Sequence, residues 1–234
     1  MQRLIWLILI AGLAFNCGGD ANTEATSDTT EEATVTTEET ATTETATANK
    51  VLNPNLASKE ELSALASVDE DLAQQIIDGR PYLNMKDFQQ VLAGAIDEGA
   101  MEAFLTTCFV PLNLNTASEE EFLMVPGVGN KMAHEFEEYR PYKKVAQFRR
   151  EMGKYVDDTE IARYEQYVFV PVALNSATDE EILAIPGVGD RMLHEFKEYR
   201  PYKNIEQFRR EIGKYVDDQE LARLERFVYV DVEN

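Results

Sequence analysis

Pro126-Gly127-Val128-Gly129 recurs as Pro186-Gly187-Val188-Gly189, each copy followed two residues later by a basic side chain, Lys131 or Arg191. A Gly-x-Gly turn that opens a helix leaves backbone N–H groups without intrahelical partners, and these face outward where an anion such as a phosphate group can bind. Glycine lets a ligand's oxygens approach the backbone closely, the helix start favours negative charge, and the basic side chain supplies a counterion. Gly127, Gly129, Lys131, Gly187, Gly189 and Arg191 are therefore the candidate phosphate-binding residues. The same residues also suit a purely structural role, as the tightest joint between two packed helices, or a turn that touches a protein partner.

Other residues with chemical potential are fewer. Lys143, Lys144, Arg149, Arg150 and Lys154 cluster along the chain and are mirrored by Lys203, Arg209, Arg210 and Lys214. They read either as a basic face beside the glycine turns or as solvated pairs with neighbouring glutamates. His134 and His194 are equivalent, each followed by Glu, but no His-Glu-x-x-His or paired-cysteine spacing accompanies them, so no metal site is expected. The recurring Tyr142, Phe148 and Tyr155 fit core packing better than base stacking. Cys108 sits in an apolar run and reads as a buried, inert thiol. No nucleophile elbow, Walker loop or cofactor motif is present, so the chain reads as a non-enzyme with no cofactor and no small-molecule substrate.

The elements that hold these residues come from tandem duplication. Shifted by 60, residues 111–170 and 171–230 are identical at about 38 positions, and residues 51–110 match the second copy at about 16. The skeleton shared by all three is Asn55, Asn115 and Asn175, then Glu61, Glu121 and Glu181, then Arg-Pro-Tyr at 80–82, 140–142 and 200–202, then Phe88, Phe148 and Phe208. Each copy reads as four short helices. Ser58 with Glu61, Ser118 with Glu121, and Thr178 with Glu181 have capping-box spacing. The second helix follows the glycine turn and Arg-Pro-Tyr ends it. A third carries Val145, Phe148 and Met152 and stops at Gly153, and a fourth runs from about Asp157 through Ile161 and Tyr164 to Val168. No stretch demands a sheet, although residues 167–170 can briefly extend, and the fold class is all-α. Copies of this size are marginal alone, and their apolar seams (109–112, 169–172) predict a packed array.

Upstream, residues 1–17 have a basic start, an apolar stretch from Leu4 to Phe15, and Cys17. This pattern fits an export signal, and it is similar to a bacterial lipoprotein signal in which Cys17 carries the lipid; plain secretion is the alternative. Residues 18–50 are Thr-, Glu- and Ala-rich with Val35 as their one large aliphatic side chain, the composition of a disordered acidic linker of roughly 30 Å reach. From residue 51 on, 20 Lys and Arg face 35 Asp and Glu, a net charge of −15. Such a balance disfavours generic nucleic-acid and anionic-membrane binding. Residues 51–110, 111–170 and 171–234 then form a degenerate and two intact copies.

The runs Leu114-Asn115-Thr116-Ala117-Ser118-Glu119-Glu120-Glu121, Pro126–Ala133 and Tyr139-Arg140-Pro141-Tyr142-Lys143 resemble the helix-hairpin-helix family, in its competence DNA-receptor branch. The resemblance covers the second and third copies well and the first by its skeleton only. It implies paired helical hairpins that bind DNA backbone without sequence preference through Gly127, Gly129 and Lys131, and through Gly187, Gly189 and Arg191. With the N-terminal pattern, it implies an exported protein held at a membrane of the bacterial cell envelope, with DNA or an envelope protein as partner. Three departures matter. The first copy reads Ala66-Ser67-Val68-Asp69 at the turn, followed by Glu70 and Asp71, which puts carboxylates where a phosphate would sit. Leu193 stands at the place of Ala133, and the second hairpin of each copy has no further glycine turn.

Overall fold

The structure, a computed structural model, describes residues 50–231. The segments expected to be an export signal and an acidic linker, up to residue 49, and the last three residues lie outside the described residues. Residues 51–110 form α1 (Lys59–Ser63), α2 (Glu70–Asp78), α3 (Met85–Leu92) and α4 (Glu98–Leu105). Residues 111–170 form β1 (Leu112–Asn113), α5 (Glu119–Phe122), α6 (Asn130–Glu138), α7 (Val145–Met152), α8 (Asp158–Tyr164) and β2 (Val168–Phe169). From residue 171 come β3 (Val172–Ala173), α9 (Asp179–Leu183), α10 (Asp190–Glu198), α11 (Ile205–Ile212), α12 (Asp218–Glu225) and β4 (Val228–Tyr229).

Helices dominate, as an all-α reading requires. The local signals place their starts: Ser58, Ser118 and Thr178 each accept the N–H of the glutamate three residues on, and that glutamate reaches back to the cap's own N–H. One expectation is corrected. The fourth helix of the second segment ends at Tyr164, and Val168 belongs to a strand. That strand pairs in parallel with the segment's own beginning, Leu112 opposite Val168, and Val172 opposite Val228 repeats the arrangement in the third segment. Leu52 and Cys108 form the matching single bridge in the first. Each segment thus closes on itself, which satisfies backbone groups at its two ends.

The skeleton read from the sequence turns out to build this closure. Asn115 donates from its side-chain amide to the Tyr142 carbonyl (2.8 Å) and accepts the Tyr142 N–H (2.7 Å). Asn55 with Tyr82 and Asn175 with Tyr202 do the same. The Arg-Pro bonds are cis in all three copies, and each arginine turns back to carbonyls before the first helix: Arg140 donates to Leu114 and Ala117, Arg80 to Pro54 and Ala57, Arg200 to Ala177. These residues fasten the break between second and third helices to the segment's start, and their recurrence is structural.

Aromatic side chains fill the second segment's core. Phe136 meets Phe122, Phe148 and Tyr164 edge-on at 5.2, 5.4 and 5.2 Å, an arrangement favoured by ring quadrupoles. The seams repeat as well: Phe109 packs on Tyr167 and Phe169 on Phe227, while Gln166 accepts the Val51 N–H and Arg226 donates to the Pro111 carbonyl. One apolar cluster runs through the first two segments and a second fills the third. Cys108 is fully buried, and burial pushes its thiol up to about 12. Among the described residues, no helix is long and apolar enough to cross a membrane.

Candidate nucleic-acid interface

Between α5 and α6 the chain turns tightly. The Val128 N–H bonds the Val125 carbonyl (3.0 Å), and the Val128 side chain is buried, pinning the turn to the core. Val188 and Val68 hold the other two turns in the same way. Gly127 and Gly187 have φ of +77° and +82°, the left-handed region that glycine enters without steric cost. Ser67 takes the equivalent φ of 69° in the first segment.

The three helix starts beyond these turns differ. In α2, Asp69 caps the helix by accepting the Leu72 N–H at 2.8 Å. In α6 and α10 the cap is Gly129 or Gly189, and no side chain accepts the first-turn N–H groups. A Cβ added to Gly129 or Gly189 would meet nothing within 4 Å, so both starts are open. Gly127 and Gly187 serve another purpose. A Cβ there would lie 3.1 Å from Arg163 or 2.8 Å from Arg223.

Those two arginines escaped the sequence reading. Arg163, on α8, donates to the Pro126 carbonyl (2.5 Å) and grips Glu160 with two nitrogens (2.7 and 2.6 Å). Arg223 does the same with Pro186 and Glu220. The bidentate pair holds the Arg163 guanidinium above its ordinary range and Glu160 below its own. The equivalent positions in the first segment are Ala100 and Ala103. The internal alignment contains the signal, because the Glu-x-x-Arg pair is present wherever the glycine turn is.

Lys131 and Arg191 are exposed beside the open helix starts. The Lys131 ammonium lies 5.4 Å from the centre of the Tyr155 ring, whose hydroxyl is 2.7 Å from that of Tyr139. In the third segment Tyr199 and Tyr215 repeat the hydroxyl pair. Asp190 sits in the first turn of α10, where α6 has Asn130, so the third turn is the less favourable for an anion.

The clustered basic residues do not form a free face. Arg149 pairs with Glu165 (2.5 Å), Lys144 with Glu181 (3.2 Å), and Arg150 and Lys154 share Glu151. Arg209 with Glu225, and Arg210 and Lys214 with Glu211, repeat the pattern. Lys143 and Lys203 are exposed and make no ion pair among the described residues. Both turns also adjoin the first segment. A cavity of about 520 Å³ separates the turn from Leu123 to Gly129 from Gln89, Met101, Glu102 and Leu105, and the Leu56 side chain would lie 3.2 Å from a Cβ on Gly187. His134 and His194 are exposed and face Glu138 and Glu198, and among the described residues no group of three or more His, Cys, Asp or Glu is placed to hold a metal ion.

Family models, curated proteins and solved structures give no match to this chain. The case for a function rests on the residues themselves.

Proposed function

We propose that the chain is an exported protein of three tandem helix-hairpin-helix repeats, held at a membrane of the cell envelope through a lipid on Cys17. In this reading its second and third repeats bind the phosphate backbone of DNA weakly and without sequence preference, in the setting of DNA uptake. The observation that carries the proposal is the difference among three equivalent helix starts. One is closed by the Asp69 carboxylate, while the two preceded by Gly127 and Gly187 are open beside Lys131 and Arg191. A carboxylate at the first start accepts the same kind of N–H group that a phosphate oxygen would take at the other two. Gly127 and Gly187 shape the turns; Gly129 and Gly189 supply the approach. No catalytic role is proposed.

Titration of a short labelled duplex at low salt tests this. Two sites predict a shallow dependence, a slope of about −2 in log K against log salt, and equal affinity for unrelated sequences. Absence of binding at low salt, or a slope several times steeper, sinks the two-site model. The anchor is tested separately: Cys17→Ser should move the protein from the membrane fraction to the soluble one, and unchanged fractionation would remove the lipid from the proposal.

A second reading, an envelope interaction or scaffold protein without DNA binding, is favoured by one observation. The basic clusters beside the turns pair with Glu151, Glu165, Glu181, Glu211 and Glu225 instead of forming an uninterrupted positive track. If the duplex does not bind, that reading takes over.

A further inference from the structure

Lys131, Glu135, Tyr139 and Tyr155 of the second segment are matched in the third by Arg191, Glu195, Tyr199 and Tyr215. The first segment has Asp71, Gln75, Gly79 and Ala95 at these places. The set therefore accompanies the glycine turn, and a segment of the same fold is built without it.

Lys131 and Glu135 are four residues apart on α6 and share one of its faces. Glu135 is 8% exposed, and its Oε2 is buried without a hydrogen-bond partner, an arrangement that costs folding free energy. Tyr155 lies between α7 and α8, with its hydroxyl 2.7 Å from that of Tyr139. Hydrogen bonding to Tyr139 and to Glu135 pushes the Tyr155 phenol above its ordinary range, so the hydroxyl is held by two groups and the ring is fixed. The Lys131 ammonium stands 5.4 Å from the centre of that ring, within reach of a cation–π attraction. Lys154, 4.5 Å from the centre of the Tyr139 ring, is paired with Glu151. Lys131 is exposed and makes no ion pair among the described residues, so it is available to an anion at the start of α6. The third segment keeps the hydroxyl pair but not this contact. Its Lys214 lies over Tyr199, and among the described residues no cation stands over the Tyr215 ring.

We propose that Tyr155 is a positioning residue, which holds the Lys131 ammonium beside the open start of α6 and makes the second segment the tighter of the two phosphate sites. The proposal rests on the DNA-backbone reading above. An ammonium already ordered over a ring loses less freedom when a phosphate arrives. Arg191 lacks that support and has Asp190 beside it in the first turn of α10, so its site starts from a less ordered cation and a less favourable charge.

Two measurements on the full chain test this. Without DNA, nuclear magnetic resonance of isotope-labelled lysine should show the Lys131 ε-methylene protons shifted upfield by the Tyr155 ring. The shift should persist in Tyr155→Phe and vanish in Tyr155→Leu. With a short labelled duplex at low salt, Tyr155→Leu should weaken binding about threefold, and Tyr155→Phe should bind as the unaltered chain does. In a Lys131→Gln background Tyr155→Leu should have no further effect, because a positioning residue acts only through the group it positions. Tyr215→Leu should leave the affinity unchanged, and Gly129→Asp alone should cost more affinity than Gly189→Asp alone. An unshifted Lys131, an equal loss from Tyr155→Leu with and without Lys131, or an equal loss from Tyr215→Leu overturns the proposal. So does a greater loss from Gly189→Asp than from Gly129→Asp. Failure of the unaltered chain to bind the duplex defeats the DNA reading and this proposal together, whereas binding with an unshifted Lys131 defeats this proposal alone.

Discussion

Aspartate at both open helix starts, Gly129→Asp with Gly189→Asp, is expected to abolish binding of a short duplex while leaving the fold's stability unchanged within a few tenths of a kcal/mol. The first segment already contains this substitution. Asp69 occupies the equivalent cap and accepts the Leu72 N–H, so the backbone there suits aspartate. Gly129 has φ of −100°, Gly189 has φ of −116°, and neither has an atom within 4 Å of an added Cβ. The new carboxylates would occupy the N–H groups proposed to hold phosphate and would repel it. Anisotropy with duplex and thermal melting by circular dichroism, on the same samples, separate the two effects. Binding that persists would show that the helix starts are not the contact. Substituting Gly127 and Gly187 would be a poorer test, since their positive φ and the neighbouring arginines would mix loss of fold with loss of contact.

The largest stability loss is expected from Arg223→Ala. Arg223 is 2% exposed, pairs with Glu220 through two nitrogens and donates to the Pro186 carbonyl. Its removal opens a cavity under the third turn and strips a carbonyl and a carboxylate of their partners. Glu220 keeps some contact with water (side chain 35% exposed), which limits the penalty to about 3 kcal/mol. In a protein of this size that lowers the melting temperature by roughly 10 °C. Arg163→Ala, at a side chain 30% exposed, should cost distinctly less. Equal and negligible effects at both sites would mean that the guanidinium does not support the turn.

Legibility followed the distance over which each feature is determined. The capping boxes at Ser58, Ser118 and Thr178, and the helix breaks at Arg-Pro-Tyr, involve residues three or four apart, and the sequence announces them. The strand at Val168–Phe169 was less legible, because its partner is Leu112–Asn113, 56 residues earlier. The charge clusters left two readings open, a basic face or pairs with neighbouring glutamates, and the structure shows the pairs. Arg150 pairs with the adjacent Glu151, but the partner of Arg149 is Glu165, sixteen residues on and across the α7–α8 packing, which local spacing does not indicate. Arg163 went unread because only the tertiary approach of α8 to Pro126 makes it the support of the turn. Among the site residues, Gly127 and Gly129 were read as a unit. The structure divides them, one shaping the turn against Arg163 and the other opening the helix start.

The parallel closure of each segment also has a mechanical consequence. In the second segment the Leu112 N–H bonds Tyr167 and the Leu114 N–H bonds Phe169, while Leu174 and Tyr229 repeat the outer bond in the third. Entry and exit strands lie side by side and run the same way. Tension along the chain therefore pulls the two strands of a segment lengthwise in opposite senses, and their hydrogen bonds must yield together rather than peel apart one by one. For a protein proposed to be anchored at one end while holding a long polymer, each repeat would act as a latch loaded in shear.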